Sequence, residues 1–156
     1  MYILPVDTKG LTSTDVSKQW EKYYSYLDSV LHRIPSSISS LIVSNDYYNP
    51  KSVFSPHDSW LESLIVEVKS SGNRSEFRTI DIKVKLLGAY HDRYLYFVYK
   101  NVFSYSQTVS HVNSGDWLYD EYQLSTNDKI IHEIAFDNGD LKIECEDIEF
   151  SQELLK

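Results

Sequence analysis

The spacing of apolar residues changes once along this chain, and that change constrains the fold more than any other feature. Val16, Trp20, Tyr23, Leu27, Val30 and Ile34 recur at alternating steps of four and three. Those steps place them on one face of a helix with 3.6 residues per turn. Thr12 or Ser13 can cap its start and Asp15 suits the positive end of its dipole. Pro35 stops it, because the residue before a proline avoids the α region. Ser36–Val43 reads as a second short helix, and 44–56, rich in Asn, Asp, Pro and Ser, reads as a loop. From Trp60 onward the period becomes two. Ile80, Ile82, Val84 and Leu86 alternate with Thr79, Asp81, Lys83 and Lys85, the pattern of a strand with one dry and one wet face.

The same reading gives strands at Trp60–Lys69, Arg93–Phe103, Trp117–Ser125, Lys129–Phe136 and Leu141–Phe150. A turn is expected at Thr126–Asp128, and a two-residue hairpin loop with positive φ at Asn138-Gly139. In the last strand Leu141, Ile143 and Cys145 share one parity and Ile148 and Phe150 the other, so a β-bulge is expected near Asp147. Ser104–Gly115 is read as a long polar connection that moves or binds. The expected architecture is α+β: six strands in one mainly antiparallel meander, free to curl, with the N-terminal helix packed on its apolar face. Residues 1–156 are expected to form one domain, helical over 12–43 and sheet over 57–150.

Composition narrows the function classes. The formal net charge of −8 argues against wrapping a nucleic acid, which needs clustered Lys and Arg, and suits a basic partner or plain solubility. The lone Cys145 rules out an internal disulfide and favours a reducing, cytoplasmic setting. Met1–Gly10 lacks the pattern of a secretory signal, and no apolar run reaches membrane-spanning length, so no membrane is expected. Thirteen tyrosines suit an interface, a homodimer face included, although Ile, Lys, Asn and Ser are also plentiful, as in a coding sequence poor in G and C, so the count alone decides nothing.

Residues able to carry chemistry are few. No phosphate-binding loop, dinucleotide fingerprint, nucleophile elbow or His-Glu-x-x-His motif is present. His57 and Asp58, with Glu62 four residues on, offer imidazole and carboxylate groups that could hold a divalent metal. The alternative is structural: Asp58 caps the strand start at Trp60 and His57 holds a loop carbonyl. His132 shares a face with Ile130, Ile134 and Phe136, so it should point inward, with Glu121 on the neighbouring strand as its partner. That couple is either a base with its orienter or a satisfied core pair. His91 and His111 lie in connections with no ligand spacing. An enzyme would need His57, Asp58, Glu121 and His132 to converge. No catalytic residue, metal or cofactor is assigned, and Cys145 reads as an inert core thiol.

The C-terminal region instead suggests binding. Asp137, Asp140, Glu144, Glu146, Asp147, Glu149 and Glu153 bring seven carboxylates, with Lys142 among them. Such a run is usually a solvated face. Together with Trp117, Tyr119 and Tyr122, the carboxylates Glu144, Glu146 and Glu149 would make an acidic, aromatic docking surface for a cationic protein.

His57-Asp58-Ser59, "YKNV" at Tyr99–Val102, "LYDEYQL" at Leu118–Leu124 and "IIHEIAFDNGDLKIECEDIEF" at Ile130–Phe150 resemble a group of small bacterial proteins related to the immunity proteins of polymorphic toxin systems. The resemblance covers Pro56 to Phe150 and rests on short motifs. It implies a cytoplasmic protein that binds and neutralises one cognate toxin, a basic one given the acidic surface. It carries over no catalytic residues.

Overall fold

The computed structural model describes residues 1–5 and 7–156. The expected first helix forms as α1, Ser13–Val30, under a complete capping box: the Thr12 hydroxyl accepts from the Asp15 amide and the Asp15 carboxylate accepts from the Thr12 amide. The apolar stripe does not continue straight to Ile34. A 3-10 turn, Leu31–Arg33, leads through Pro35 into α2, Ser36–Ile42, with Ile38 and Ile42 buried. Tyr23, Leu27 and Val30 are the buried face of α1.

Eight strands follow, not six, and they form two sheets, not one. They are β1 Trp60–Ser71, β2 Phe77–Leu87, β3 Arg93–Lys100, β4 Ser104–Val109, β5 Trp117–Leu124, β6 Ile130–Phe136, β7 Gly139–Cys145 and β8 Asp147–Leu154. One sheet has the order β1-β2-β3-β8 and the other β4-β7-β6-β5, and every pair is antiparallel. Two features of the sequence account for the difference. Ser104–Val109, expected to be part of a polar connection, pairs with β7 from Ser104↔Glu144 to Val109↔Gly139, and all six residues are exposed. A strand with no buried face leaves no alternation to read. The second feature is the parity flip after Cys145. It is a change of sheet and not a bulge: Cys145 faces Ile130 in one sheet, and Ile148 faces Tyr99 in the other.

The β6–β7 hairpin also differs from expectation. Phe136 pairs with Gly139, so the two-residue loop is Asp137-Asn138, and neither Asn138 nor Gly139 has a positive φ. Gly139 is needed for a different reason: a Cβ there would overlap the Thr108 carbonyl of β4. Gly139→Ala is expected to cost about 1–3 kcal/mol, the usual penalty of overpacking, and to loosen β4 selectively. Amide exchange along Ser104–Val109 is the measurement. The turn between β5 and β6 forms as expected, with Ser125 N–H donating to Lys129 C=O and Asp128 at φ 58°.

The inner faces of the two sheets meet in the core. Ile82, Val84, Leu86, Leu95, Phe97 and Tyr99 come from one sheet, and Trp117, Ile130, Ile134, Leu141, Ile143 and Cys145 from the other. Phe97 stacks on Trp117 across the gap at 5.7 Å between ring centroids. The helices close one side: α2 packs on β8 and α1 on β5. The outer edge of β5 would expose unpaired amides, and two helix tyrosines meet them. Tyr122 N–H donates to Tyr23 Oη at 2.7 Å and Leu124 N–H to Tyr26 Oη at 2.9 Å. Burial pushes the Cys145 thiol up to about 12. The thiolate is the reactive form, so Cys145 is expected to stay unmodified by a thiol reagent at neutral pH until the protein is denatured.

Candidate functional site

The most concentrated chemistry lies where β5 begins. Trp117 pairs with Phe136 and Tyr119 with Ala135, so Leu118 is an extra residue, a β-bulge. The bulge resets the alternation. Beyond it Asp120 and Tyr122 point inward with Trp117, opposite Ile134 and His132, while Glu121 turns outward opposite Glu133.

His132 therefore pairs with Asp120 and not with Glu121, which corrects the partner expected from simple alternation. His132 Nε2 lies 2.9 Å from Asp120 Oδ2, and its Nδ1 lies 2.8 Å from Tyr99 Oη. The imidazole stacks on Tyr122 with centroids 4.0 Å apart. Asp120 Oδ2 also accepts from Tyr47 Oη at 2.7 Å, and Oδ1 accepts a longer bond, 3.3 Å, from Trp117 Nε1. Tyr47 and Tyr122 hydroxyls are 2.8 Å apart. Tyr99 Oη has no other hydrogen-bond partner among the described residues. With that hydroxyl as the donor to His132 Nδ1, the imidazole is the neutral Nε2–H tautomer and donates to Asp120.

The phenols around this carboxylate are held protonated. Desolvation, and next the negative charge of Asp120, keep Tyr23, Tyr47 and Tyr122 well above the ordinary tyrosine range; for Tyr99 burial dominates and Cys145 and Asp120 add to it. A raised folded-state pKa favours the protonated form. The stability these phenols contribute is therefore complete below the unfolded-state value near 10 and is lost as pH rises above it. Absorbance titration at 295 nm should show these four tyrosines ionising only with cooperative alkaline unfolding, after the exposed ones.

Asp120 is one of the residues lining a cavity of about 240 Å³ bounded by α1, the 47–57 loop and the bulged start of β5. Trp20, Tyr48, Trp117 and Tyr119 supply aromatic walls, with Pro50, Ser55, Pro56 and His57 around them. Trp20 meets Tyr48 edge-on at 5.2 Å, and His57 meets Tyr119 at 6.3 Å.

The four polar residues considered for catalysis divide between separate places. His57 lines the cavity, and its Nδ1 lies 3.0 Å from the Asp58 carboxylate without hydrogen-bonding geometry. Among the described residues Asp58 does not cap Trp60 and His57 holds no loop carbonyl; instead the Asp58 amide, at φ 62°, donates to Trp117 C=O. Glu62 pairs with Lys85. Glu121 is fully buried on the opposite side of β5, where its carboxylate accepts the amides of Tyr2, Ile3 and Leu4 at 3.1, 3.0 and 2.7 Å. His132 is sealed in the core. Among the described residues no group of three His, Cys, Asp or Glu side chains is placed to hold a metal ion.

The acidic aromatic surface does not assemble either. Trp117 and Tyr122 are 1% and 0% exposed, and Tyr119 faces the cavity. The carboxylates separate at the β7–β8 break: Glu144 lies on one sheet and Glu149 on the other, and Glu146 between them pairs with Lys129 and Asn101. The residues that sequence reasoning missed are Asp120, Tyr47, Tyr48 and Trp20. Asp120 was within reach, since an acid flanked by aromatic residues in "LYDEYQL" is a candidate once a bulge is allowed.

Among the described residues no helix is long and apolar enough to cross a membrane. No protein-family model, curated protein or solved structure matches the chain.

Proposed function

We propose that this protein is a binding module of the immunity type, which neutralises a basic bacterial toxin by contact. The observation that carries the reading is the free edge of β1. This strand has twelve residues and pairs only with β2 along its length, apart from one bridge at Trp60. Its Ile65 and Val68 are 50% and 62% exposed, and Phe77 at the far end of the hairpin is 63% exposed. Folded proteins usually shorten, charge or cover such an edge; β1 is long and uncovered, its Glu62, Glu67 and Lys69 are paired with β2, and its exposed apolar residues suit a partner that adds a strand of its own. The net charge of −8 favours encounter with a cationic partner. The buried polar groups support binding over catalysis: His132 is enclosed and Glu121 is occupied by backbone amides.

The test is protection of cells expressing the toxin encoded beside this gene. Wild-type protein should protect, and Ile65→Lys combined with Val68→Glu should abolish protection while leaving the circular dichroism spectrum unchanged. Full protection by that variant would remove β1 as the contact, and failure of the wild type would remove the immunity reading. The same edge suits a second copy of the chain. Sedimentation equilibrium separates the two cases: a dimer that the double variant dissolves would assign β1 to self-association.

A further inference from the structure

We infer that the aromatic cavity over Asp120 is a binding site for a primary alkylammonium group, presented by a free amine or by a lysine side chain. The argument starts from charge. Asp120 is 2% exposed and every partner it has is a neutral donor: Tyr47 Oη, Trp117 Nε1 and, by the tautomer argument, neutral His132. No Lys or Arg forms an ion pair with it among the described residues. A buried carboxylate ordinarily has a cation beside it, because desolvation of an unneutralised charge is costly. Asp120 is also one of the residues that line the cavity.

The cavity walls suit the same ligand. Trp20, Tyr48, Trp117 and Tyr119 are electron-rich rings, whose faces attract a cation and whose apolar surface takes an alkyl chain. A carboxylate has about four acceptor positions, and Asp120 uses two on Oδ2 and one long bond on Oδ1. One position on Oδ1 is left for an ammonium N–H. The volume of about 240 Å³ lies just below that of ordinary drug-sized sites, so it fits a head group with a short chain. This site lies apart from β1 and does not depend on the toxin reading.

The probes are n-butylammonium chloride and n-butanol, nearly equal in shape and different in charge, titrated into the full chain with the Trp20 and Trp117 indole resonances as readout. Butylammonium should bind saturably with a dissociation constant on the order of millimolar, which its five heavy atoms can sustain. Butanol should not perturb these resonances. Tyr119→Leu should weaken butylammonium roughly 3- to 30-fold, and Asp120→Asn should abolish the preference for the cation. Nitrogen-15 shifts of His132 provide a check that needs no variant: a doubly protonated ring would neutralise Asp120 and overturn the proposal. Equal binding of the two probes, or binding of neither, would overturn it as well. An N-acetyl-lysine methylamide arm distinguishes the sources: binding comparable to butylammonium admits a protein side chain, and exclusion assigns the site to free amines.

Discussion

Asp120→Ala should destabilise the protein by about 3–5 kcal/mol, because it takes the acceptor from three buried neutral donors. The side chain joins three donors from three parts of the fold: His132 on β6, Tyr47 in the loop after α2, and Trp117 at the head of β5. Alanine leaves those donors in a dry interior, and each unsatisfied buried group costs about 1–3 kcal/mol. Loss of the carboxylate also relieves its own desolvation, so the net effect falls below the sum of the three. At this chain length the loss corresponds to roughly 6–20 °C in Tm. Asp120→Asn keeps the shape and part of the acceptor capacity, and it should cost less, about 1–3 kcal/mol. Urea melts of both variants decide the matter. An alanine variant within about 1 kcal/mol of wild type, the scale of one ordinary hydrogen bond, would show that the network does not hold these elements together.

The network also explains which parts of the fold could be read from sequence. Periodicity found α1, α2 and the central strands because each has one dry face: Ile82, Val84 and Leu86 alternate in the chain and alternate in the structure. It failed at β4, where neither face is dry, and at Glu146, where one apolar parity gives way to the other because the chain passes between sheets. The candidate site failed for a related reason. Counting by twos from Trp117 puts Tyr119 and Glu121 inside, and one bulged residue, Leu118, moves Asp120 and Tyr122 there instead. Insertion of one residue reverses every assignment beyond it, and no local composition signals it. Tyr47 and Tyr48 were unreadable for another cause. They lie in a loop, where polar and aromatic residues carry no period, and Tyr47 is buried and Tyr48 half-buried only because α1 and β5 close over them.

Glu121→Ala should release residues 1–5 from the sheet and cost about 2–4 kcal/mol, less than the full penalty of three orphaned amides at about 1–3 kcal/mol each. The reason for the difference is geometry. The Tyr2, Ile3 and Leu4 amides converge on one carboxylate, which also accepts from the Gln123 side-chain amide, and the Met1 nitrogen lies 2.6 Å from Glu133 Oε1. Without the carboxylate these amides can return to water by peeling away, because they belong to an end segment, residues 1–5, that forms no strand or helix. Peeling exposes Ile3 and Leu4, which are 6% and 3% exposed in the native state, and burying such side chains is worth about 1.5–3 kcal/mol each at most. Asp120→Ala has no such escape, since its orphaned donors on His132, Tyr47 and Trp117 are buried and belong to internal segments that cannot peel away as a chain end can. The two neighbouring substitutions should therefore differ in kind. Glu121→Ala should lower the denaturant m-value, because part of the surface is already exposed before unfolding, and should make the amides of residues 2–4 exchange freely. Asp120→Ala should shift the urea midpoint at nearly constant m and leave those amides protected. If Glu121→Ala keeps the three amides protected, the carboxylate does not anchor the segment, and the burial of Ile3 and Leu4 alone holds it in place.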